Sequence, residues 1–195
     1  MMRNEMRYSF KAIFVRASAV GLMSLLSSAC NSRNLAPIQT VPSVDIARFM
    51  GDWYVIACIP TRIERHAYRA VESYRLRPDG RIDTVFTFRE GGFDGPLKRY
   101  NPTGFVKQGS GGAVWGMQFI WPIKADYRIL YLDADYTQTV IGRQKRDYAW
   151  IMARSPTLAP ADYAHLTELL RAQGYEVAGL RRVPQQVEKN PSSSR

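Results

Sequence analysis

Few residues in this sequence belong to the types that carry out nucleophilic, acid–base or metal chemistry. It has two histidines, His66 and His165, and two cysteines. Cys58 and His66 would suit a nucleophile and its base if the fold joined them, but Cys58 lies in the apolar run YVIACI, which favours a buried structural thiol. Asp133 and Asp135 lie beside a predicted turn, and turn hydrogen bonding explains them. Because no zinc-ligand spacing, nucleophile elbow, phosphate-binding loop or dinucleotide fingerprint occurs, we predict no catalytic residue, no metal site and no cofactor.

The first thirty residues have the pattern of a secretory signal. Basic residues precede the apolar run ASAVGLMSLLSSA, residues 17–29, which at 13 residues is too short to span a bilayer. Cys30 follows at once, and the arrangement resembles a bacterial lipoprotein signal, in which this cysteine is acylated. We therefore predict a signal peptide over 1–29 and a lipidated tether over 30–43. The lipoprotein pattern usually carries Leu where Ser27 stands here, and plain secretion without acylation is the alternative.

Acylation of Cys30 would have two consequences. It would exclude a disulfide and leave Cys58 as a lone buried thiol; a bridge between the two is the alternative. Each buried methylene of an acyl chain contributes about 0.8 kcal/mol, so two or more chains would hold the protein on a membrane. Asn31 after the cysteine implies, by the same resemblance, the outer membrane.

Charge and composition indicate one globular domain. The apolar share is 46% and the net charge +10, of which +7 remains without residues 1–29 because these hold four bases and one acid. The remaining charge is spread along the chain, which does not favour nucleic-acid binding. The last eleven residues, QQVEKNPSSSR, predict a disordered tail over 185–195.

Short aromatic and β-branched runs separated by turn signals predict an all-β domain over residues 44–184. Eight candidate strands suggest a small closed barrel or a sandwich; they cover 52–59, 68–77, 81–89, 103–107, 113–121, 127–133, 138–143 and 148–154. Pro160, the apolar spacing that follows it and Gly174 predict one amphipathic helix, with a short ninth strand at 176–182.

Three segments in this order resemble the lipocalin family. They are FMGDWYVIA on the first strand, ADYRILYLDADYTQTVIG on the sixth and seventh, and RDYAWIMARSPTL on the eighth. With the signal sequence, the chain resembles the bacterial outer-membrane lipoprotein lipocalins of the Blc type, which are related to apolipoprotein D and the plant temperature-induced lipocalins. The resemblance implies an eight-stranded antiparallel up-and-down barrel followed by the helix and the ninth strand.

Lipocalin topology also implies a closed and an open end. Gly51 would allow tight entry into the first strand, and Trp53 would close the floor beneath the guanidinium of Arg154, a structural contact. Loops at 59–69, 90–101, 121–127 and 143–147 would surround the mouth. Seven basic residues fall in these loops and predict a basic rim: Arg62, Arg65, Lys98, Arg99, Lys124, Lys145 and Arg146.

Strand alternation predicts which side chains line the lumen. On the fifth strand, the alternate positions with large apolar side chains are Trp115, Met117 and Phe119, so we expect these three to face the lumen. If Arg154 faces inward at the base, then Trp150 and Met152 on the same strand also face inward. The third strand is ambiguous, because Phe86 and Phe88 compete with Val85. The predicted ligand-binding set is Trp115, Met117, Phe119, Tyr74, Trp150, Met152, Glu72 and Arg128. We expect the last two near the mouth, either as a mutual ion pair or in contact with the head group of a ligand.

A mainly apolar lumen favours an apolar ligand body, so we predict that the protein binds, stores or transports a fatty acid or lysophospholipid. The expected setting is the periplasmic face of the outer membrane, lipid-anchored, in a role in envelope lipid maintenance. The oligomeric state stays open, with a homodimer one alternative. An enzyme built on the lipocalin scaffold, acting on a lipid or isoprenoid, is the second hypothesis, and a tetrapyrrole carrier is a third. Acids or histidines deep in the lumen would favour the enzyme.

Overall fold

The computed structural model describes residues 35–185, and their main feature is a closed antiparallel barrel. The strands are β1 (Gly51–Ile59), β2 (Ala67–Leu76), β3 (Ile82–Glu90), β4 (Leu97–Tyr100), β5 (Thr103–Val106), β6 (Val114–Ile120), β7 (Ile123–Leu132), β8 (Gln138–Gly142), β9 (Ala149–Ala153) and β10 (Arg181–Arg182). β1 to β3 and β5 to β9 each pair with the next strand of their series, and β9 pairs back onto β1. β4 and β5 both pair with β3 and share one position, so the barrel has eight positions, and β10 pairs with the outer part of β1.

Alternation along the strands separates a lumen face from an outer face. In β3, buried and half-buried residues alternate from Ile82 to Phe88. Phe86 and Phe88 are buried with the lumen cluster, whereas Val85 is half-buried on the other face, and this resolves the ambiguity left by the sequence. The period of two is the reason, since successive side chains of a strand point to opposite faces.

Two of the predicted mouth loops are partly strand. β4 lies inside the predicted loop 90–101, with Lys98 and Tyr100 paired to Phe88 and Phe86. Its polar sequence, LKRY, does not predict a strand. The strand is stabilised by main-chain pairing with β3 and by the Tyr100 ring, which stacks on both phenylalanines. The predicted loop 121–127 is also too long, because β7 begins at Ile123 and only a two-residue turn remains.

Two helices and a short turn complete the described chain: α1 (Ile46–Phe49) below the barrel, α2 (Pro160–Ala172), and a 3-10 turn (Val177–Gly179) before β10. The predicted ninth strand at 176–182 is therefore shortened to two residues, which pair with Ala57 and Cys58 of β1. In α2, Leu166 and Leu170 are fully buried. They belong to a second apolar cluster on the outer side of the barrel, with Ile56, Val140 and Ile151 among its members.

Several sequence predictions fall outside the described residues. They are the signal peptide at 1–29, the acylated Cys30 with the first part of the tether, and all but the first residue of the tail at 185–195.

Within residues 35–185, no helix combines the length and the apolar character needed to cross a membrane.

Candidate functional site

A cation–π contact between Arg154 and Trp53 closes the lower end of the barrel. Trp53 is fully buried and donates its indole N–H to the Phe49 carbonyl at 2.9 Å. The Arg154 guanidinium lies 3.9 Å from the Trp53 ring and donates to the carbonyls of Asp52 and Met50, both at 2.7 Å. Gly51 has φ +92°, and a Cβ there would lie 3.3 Å from Arg154 Nη1. These contacts fix the chain at the entry to β1 and leave the base closed.

Four aromatic rings lie above this base. Trp115 stacks on Tyr127 with centroids 5.0 Å apart and meets the edges of Phe49 and Tyr74 at 5.4 and 5.7 Å. The sequence predicted Trp115 and Tyr74 as cavity-lining residues. They are absent from the cavity lining and form a packed layer beneath it instead, because their rings are buried against each other and against Phe49.

Above the aromatic layer is a cavity of about 360 Å³ that reaches the mouth. Pockets for small lipophilic molecules commonly have volumes of about 300 to 1,000 Å³. Its middle is apolar, with Phe86, Met117, Ile141 and Met152 on its wall. Trp150 and Phe119 also line it, the latter at the entrance, where it is 52% exposed. Five of the eight residues predicted to bind the ligand therefore line the cavity: Met117, Phe119, Trp150, Met152 and Glu72.

Glu72 lies low in the lumen, and the expectation that it sits near the mouth is wrong. β2 runs from the mouth to the base, and Glu72 pairs there with Trp53 of the floor. Its Oε2 accepts a hydrogen bond from the Tyr74 hydroxyl, whose oxygen is 2.8 Å from that of Tyr127. Burial raises the pKa of Glu72 to about 7, partly opposed by the Tyr74 hydrogen bond. Burial also raises the pKa values of both tyrosines well above 10, so their hydroxyls stay protonated.

Arg128 lies on the outer wall, and the predicted ion pair with Glu72 is wrong. Its guanidinium Nε contacts the two oxygens of Asp126 at 2.9 and 3.0 Å. Tyr127 and Ile129 on either side are buried with the lumen cluster, so Arg128 points outward. Arg128 is not part of the cavity lining, whereas its partner Asp126 is.

The mouth contains three charged residues that the sequence analysis missed, Glu64, Asp126 and Arg143. Glu64 is buried in the turn between β1 and β2 and accepts hydrogen bonds from Trp150 Nε1 at 2.7 Å and Thr61 Oγ1 at 2.6 Å. Burial raises its pKa. Arg143 lines the cavity and contacts Asp147 at 3.2 Å. Glu64 and Arg143 lie outside regular strands, where no periodicity predicts the direction of a side chain, whereas Asp126 lies in β7, in a segment that the sequence predicted as a loop.

The predicted basic rim does not converge on the mouth, because several members have other partners. Arg62 lines the cavity. Lys98 contacts Glu90 at 3.0 Å, and Lys124 lies over the Phe105 ring at 3.7 Å. Arg146 donates to the carbonyls of Ala36 and Gln173 at 2.8 and 3.0 Å and so joins the N-terminal segment to the end of α2. The remaining three are exposed: Arg65, Arg99 and Lys145.

The predicted buried thiol is present at Cys58, which is free. Burial, aided by the nearby Glu64 carboxyl, raises its pKa to about 12, so it is not a thiolate near neutral pH. His66 is exposed. Among residues 35–185, no three His, Cys, Asp or Glu side chains lie close enough together to hold a metal ion.

Comparison with known proteins gives matches over the whole barrel. Residues 44–185 match the Lipocalin_2 family, described as a lipocalin-like domain. Temperature-induced lipocalin-1 of Arabidopsis thaliana is 29% identical over 160 residues, which cover 76% of this chain and 83% of that protein. Outer membrane lipoprotein Blc of Escherichia coli K12 is 27% identical over 151 residues, with 72% and 79% covered. Insecticyanin of Manduca sexta has a similar fold, with a TM-score of 0.62 at 13% identity over 78% of this chain and 86% of that one.

Proposed function

The chain belongs to the lipocalin family, and from that premise we propose that its barrel binds and carries a single-chain lipid, either a fatty acid or a lysophospholipid. Binding of a lipophilic ligand in general follows from the family and from the similarity to Blc. The lipid class is our inference from the cavity.

The observation that supports this lipid class is the character of the lumen, which is apolar in the middle, closed at the base and lined by charged residues at the entrance. Burial of apolar surface contributes about 25 cal/mol per Å², so an acyl chain that buries on the order of 300 Å² gains roughly 7 kcal/mol before the cost of ordering it. Arg62 and Arg143 at the entrance offer guanidinium groups to a carboxylate or phosphate head. An apolar chain with an anionic head fits both parts of the cavity.

A lumen-filling variant tests this proposal. Met117→Trp places a large ring in the middle of the cavity, and Ile120→Trp is the matched control, because it introduces the same ring on the same strand at a residue that is 73% exposed. The affinity of the full chain for dodecanoic acid is measured by isothermal titration calorimetry after delipidation. We expect Met117→Trp to lose at least tenfold in affinity and Ile120→Trp to keep it. Equal affinities in the two variants, or none in the unchanged chain, would overturn the proposal.

For the cell-envelope role, we propose an outer-membrane lipoprotein anchored through Cys30 and facing the periplasm. The support is the lipoprotein-like segment before Cys30 and the similarity to proteins named outer membrane lipoprotein Blc. Metabolic labelling with a radioactive fatty acid should mark the chain and fail to mark Cys30→Ser, while Cys58→Ser keeps the label. Label retained in Cys30→Ser would exclude the anchor.

One observation favours the second hypothesis, an enzyme acting on a lipid or isoprenoid. Glu72 is an acid low in the lumen, and with a pKa of about 7 it has the range of a general acid or base. Such an enzyme would convert the bound molecule. Mass spectrometry of lipid extracted after long incubation with the protein distinguishes the two, because a carrier returns its ligand unchanged.

A further inference from the structure

A short chain of hydrogen bonds separates the apolar cavity from the closed base. It consists of Glu72, Tyr74 and Tyr127, and its two ends, Glu72 and Tyr127, line the cavity. The wall directly above them is apolar, formed by Phe86, Met117 and other large side chains. A carboxyl group in such surroundings is costly unless its oxygens are satisfied.

The hydrogens of this chain can be accounted for one by one. The Tyr74 hydroxyl donates its only hydrogen to Glu72 Oε2, so in the pair of hydroxyls 2.8 Å apart the donor is Tyr127. Both hydroxyl hydrogens are thereby used. Within residues 35–185, the side-chain hydrogen bond to the Glu72 carboxyl comes from Tyr74. When the Glu72 carboxyl is ionised, above its pKa of about 7, the groups that remain available toward the cavity are acceptors: the second oxygen of Glu72 and the hydroxyl oxygen of Tyr127.

We propose that Glu72 and Tyr127 form a subsite for a hydrogen-bond donor at the buried end of the ligand, and that the preferred ligand is an acyl chain with a hydroxyl group at its terminal carbon. This inference rests on the proposed function, since it takes an acyl chain with its head at the mouth. A terminal hydroxyl donates a hydrogen bond to the free carboxyl oxygen of Glu72. A terminal methyl would displace water from that oxygen without replacing the lost hydrogen bond, which is unfavourable.

The depth of Glu72 places the hydroxyl at the chain end. Glu72 pairs with Trp53, and Ile59 at the mouth lies six positions further along β1, a distance of about 20 Å at about 3.3 Å per residue. A ligand whose anionic head lies between Arg62 and Arg143 therefore brings its far end to the subsite, and a hydroxyl close to the head would stay in the apolar middle or at the mouth.

Three acids of equal chain length test the subsite on the delipidated full chain. They are dodecanoic acid, 12-hydroxydodecanoic acid and 2-hydroxydodecanoic acid, with dissociation constants measured by calorimetry at pH 8.5, where Glu72 is ionised. We expect the 12-hydroxy acid to bind at least tenfold more tightly than dodecanoic acid, and the 2-hydroxy acid to gain nothing. Equal binding of dodecanoic and 12-hydroxydodecanoic acid, or an equal gain for both hydroxy acids, would overturn the proposal.

Variants assign the preference to the carboxyl group. Glu72→Leu removes the acceptor and should reverse the order, with dodecanoic acid the tighter ligand. Glu72→Gln keeps one acceptor oxygen in nearly the same shape and should reduce the preference severalfold without reversing it, which guards against a folding failure of the leucine variant. Glu168→Gln, in an exposed pair with Arg171 and outside the cavity lining, is the matched control and should leave the preference unchanged. A preference that survives in Glu72→Leu would overturn the subsite alone, whereas failure of all three acids with the unchanged, folded chain would overturn the proposed function as well.

Discussion

Glu72→Gln should change how the stability of this protein depends on pH. The folded protein holds the Glu72 pKa at about 7, above the value of 4.5 for the free side chain, because burial disfavours the carboxylate. The folded state therefore binds a proton that the unfolded chain releases between pH 4.5 and 7. Stability from this group is fully present below pH 4.5 and is lost as the pH rises through 7. Glutamine stays neutral throughout and lacks this loss.

The size of the effect follows from the pKa difference. Each pKa unit corresponds to about 1.4 kcal/mol, so a shift from 4.5 to about 7 costs the folded state on the order of 3 kcal/mol once Glu72 is ionised. At pH 4.5 the variant and the unchanged protein should differ little, because the protonated carboxyl and the amide are close in shape. At pH 8.5 the variant should be more stable by roughly 3 kcal/mol.

Urea unfolding of the full chain, followed by tryptophan fluorescence at several pH values between 4.5 and 8.5, measures this difference. The buried Glu64 also has a raised pKa and adds a loss of the same sign, so the stability of the variant must be compared with that of the unchanged protein at each pH. Glu168→Gln, in an exposed pair with Arg171, is the matched control and should change stability by less than about 1 kcal/mol. A difference between variant and unchanged protein that is constant across the pH range would refute the reasoning.

Three further predictions concern the floor, the outer cluster and the thiol. Arg154→Lys loses the planar contact with Trp53 and leaves the Met50 or Asp52 carbonyl without its donor, so thermal unfolding should show a loss of about 2 to 4 kcal/mol; an unchanged midpoint would contradict the role of this contact. Leu166→Ala empties a fully buried site beneath α2 and should cost about 2 to 5 kcal/mol, whereas Leu97→Ala, at a residue that is 58% exposed, should cost well under 1 kcal/mol; equal losses in denaturant unfolding would exclude the outer cluster as a source of stability. Cys58 should be inert to a thiol reagent at pH 8 and react at once in urea, because its pKa is about 12 and its side chain is buried; rapid reaction of the folded protein would show that the strand opens there.

The strands themselves were predictable because alternation is a local property. The predicted starts of β1 and β2 are within one residue of those in the structure, and the predicted helix matches α2. Where polar residues occupy a strand, the alternation of apolar and polar residues is lost and the sequence does not predict the strand. β4, LKRY, is recognised only through its pairing with β3, since its own sequence does not distinguish it from a loop.

The candidate site was only partly predictable, because the position of a side chain along the barrel depends on register. Glu72 was expected at the mouth, but the pairing of Glu72 with Trp53 places it low in the lumen. Arg128 was expected inside, but β7 begins four residues before the predicted start, and Arg128 lies between two inward-facing neighbours. Glu64 was missed because it lies in a turn, where no repeating pattern fixes its direction.

By itself, the sequence determined the class of fold, the lipocalin family and the residues at the closed base, since these depend on local periodicity and on short motifs such as FMGDWYVIA. Only the tertiary structure decided what the lumen offers a ligand. It separates the aromatic layer of Trp115 and Tyr74 from the cavity above, and it joins Glu72, Tyr74 and Tyr127, from strands far apart in the chain, into one hydrogen-bonded group. Long-range strand pairing sets these distances, and a sequence pattern with a period of two residues carries no information on them.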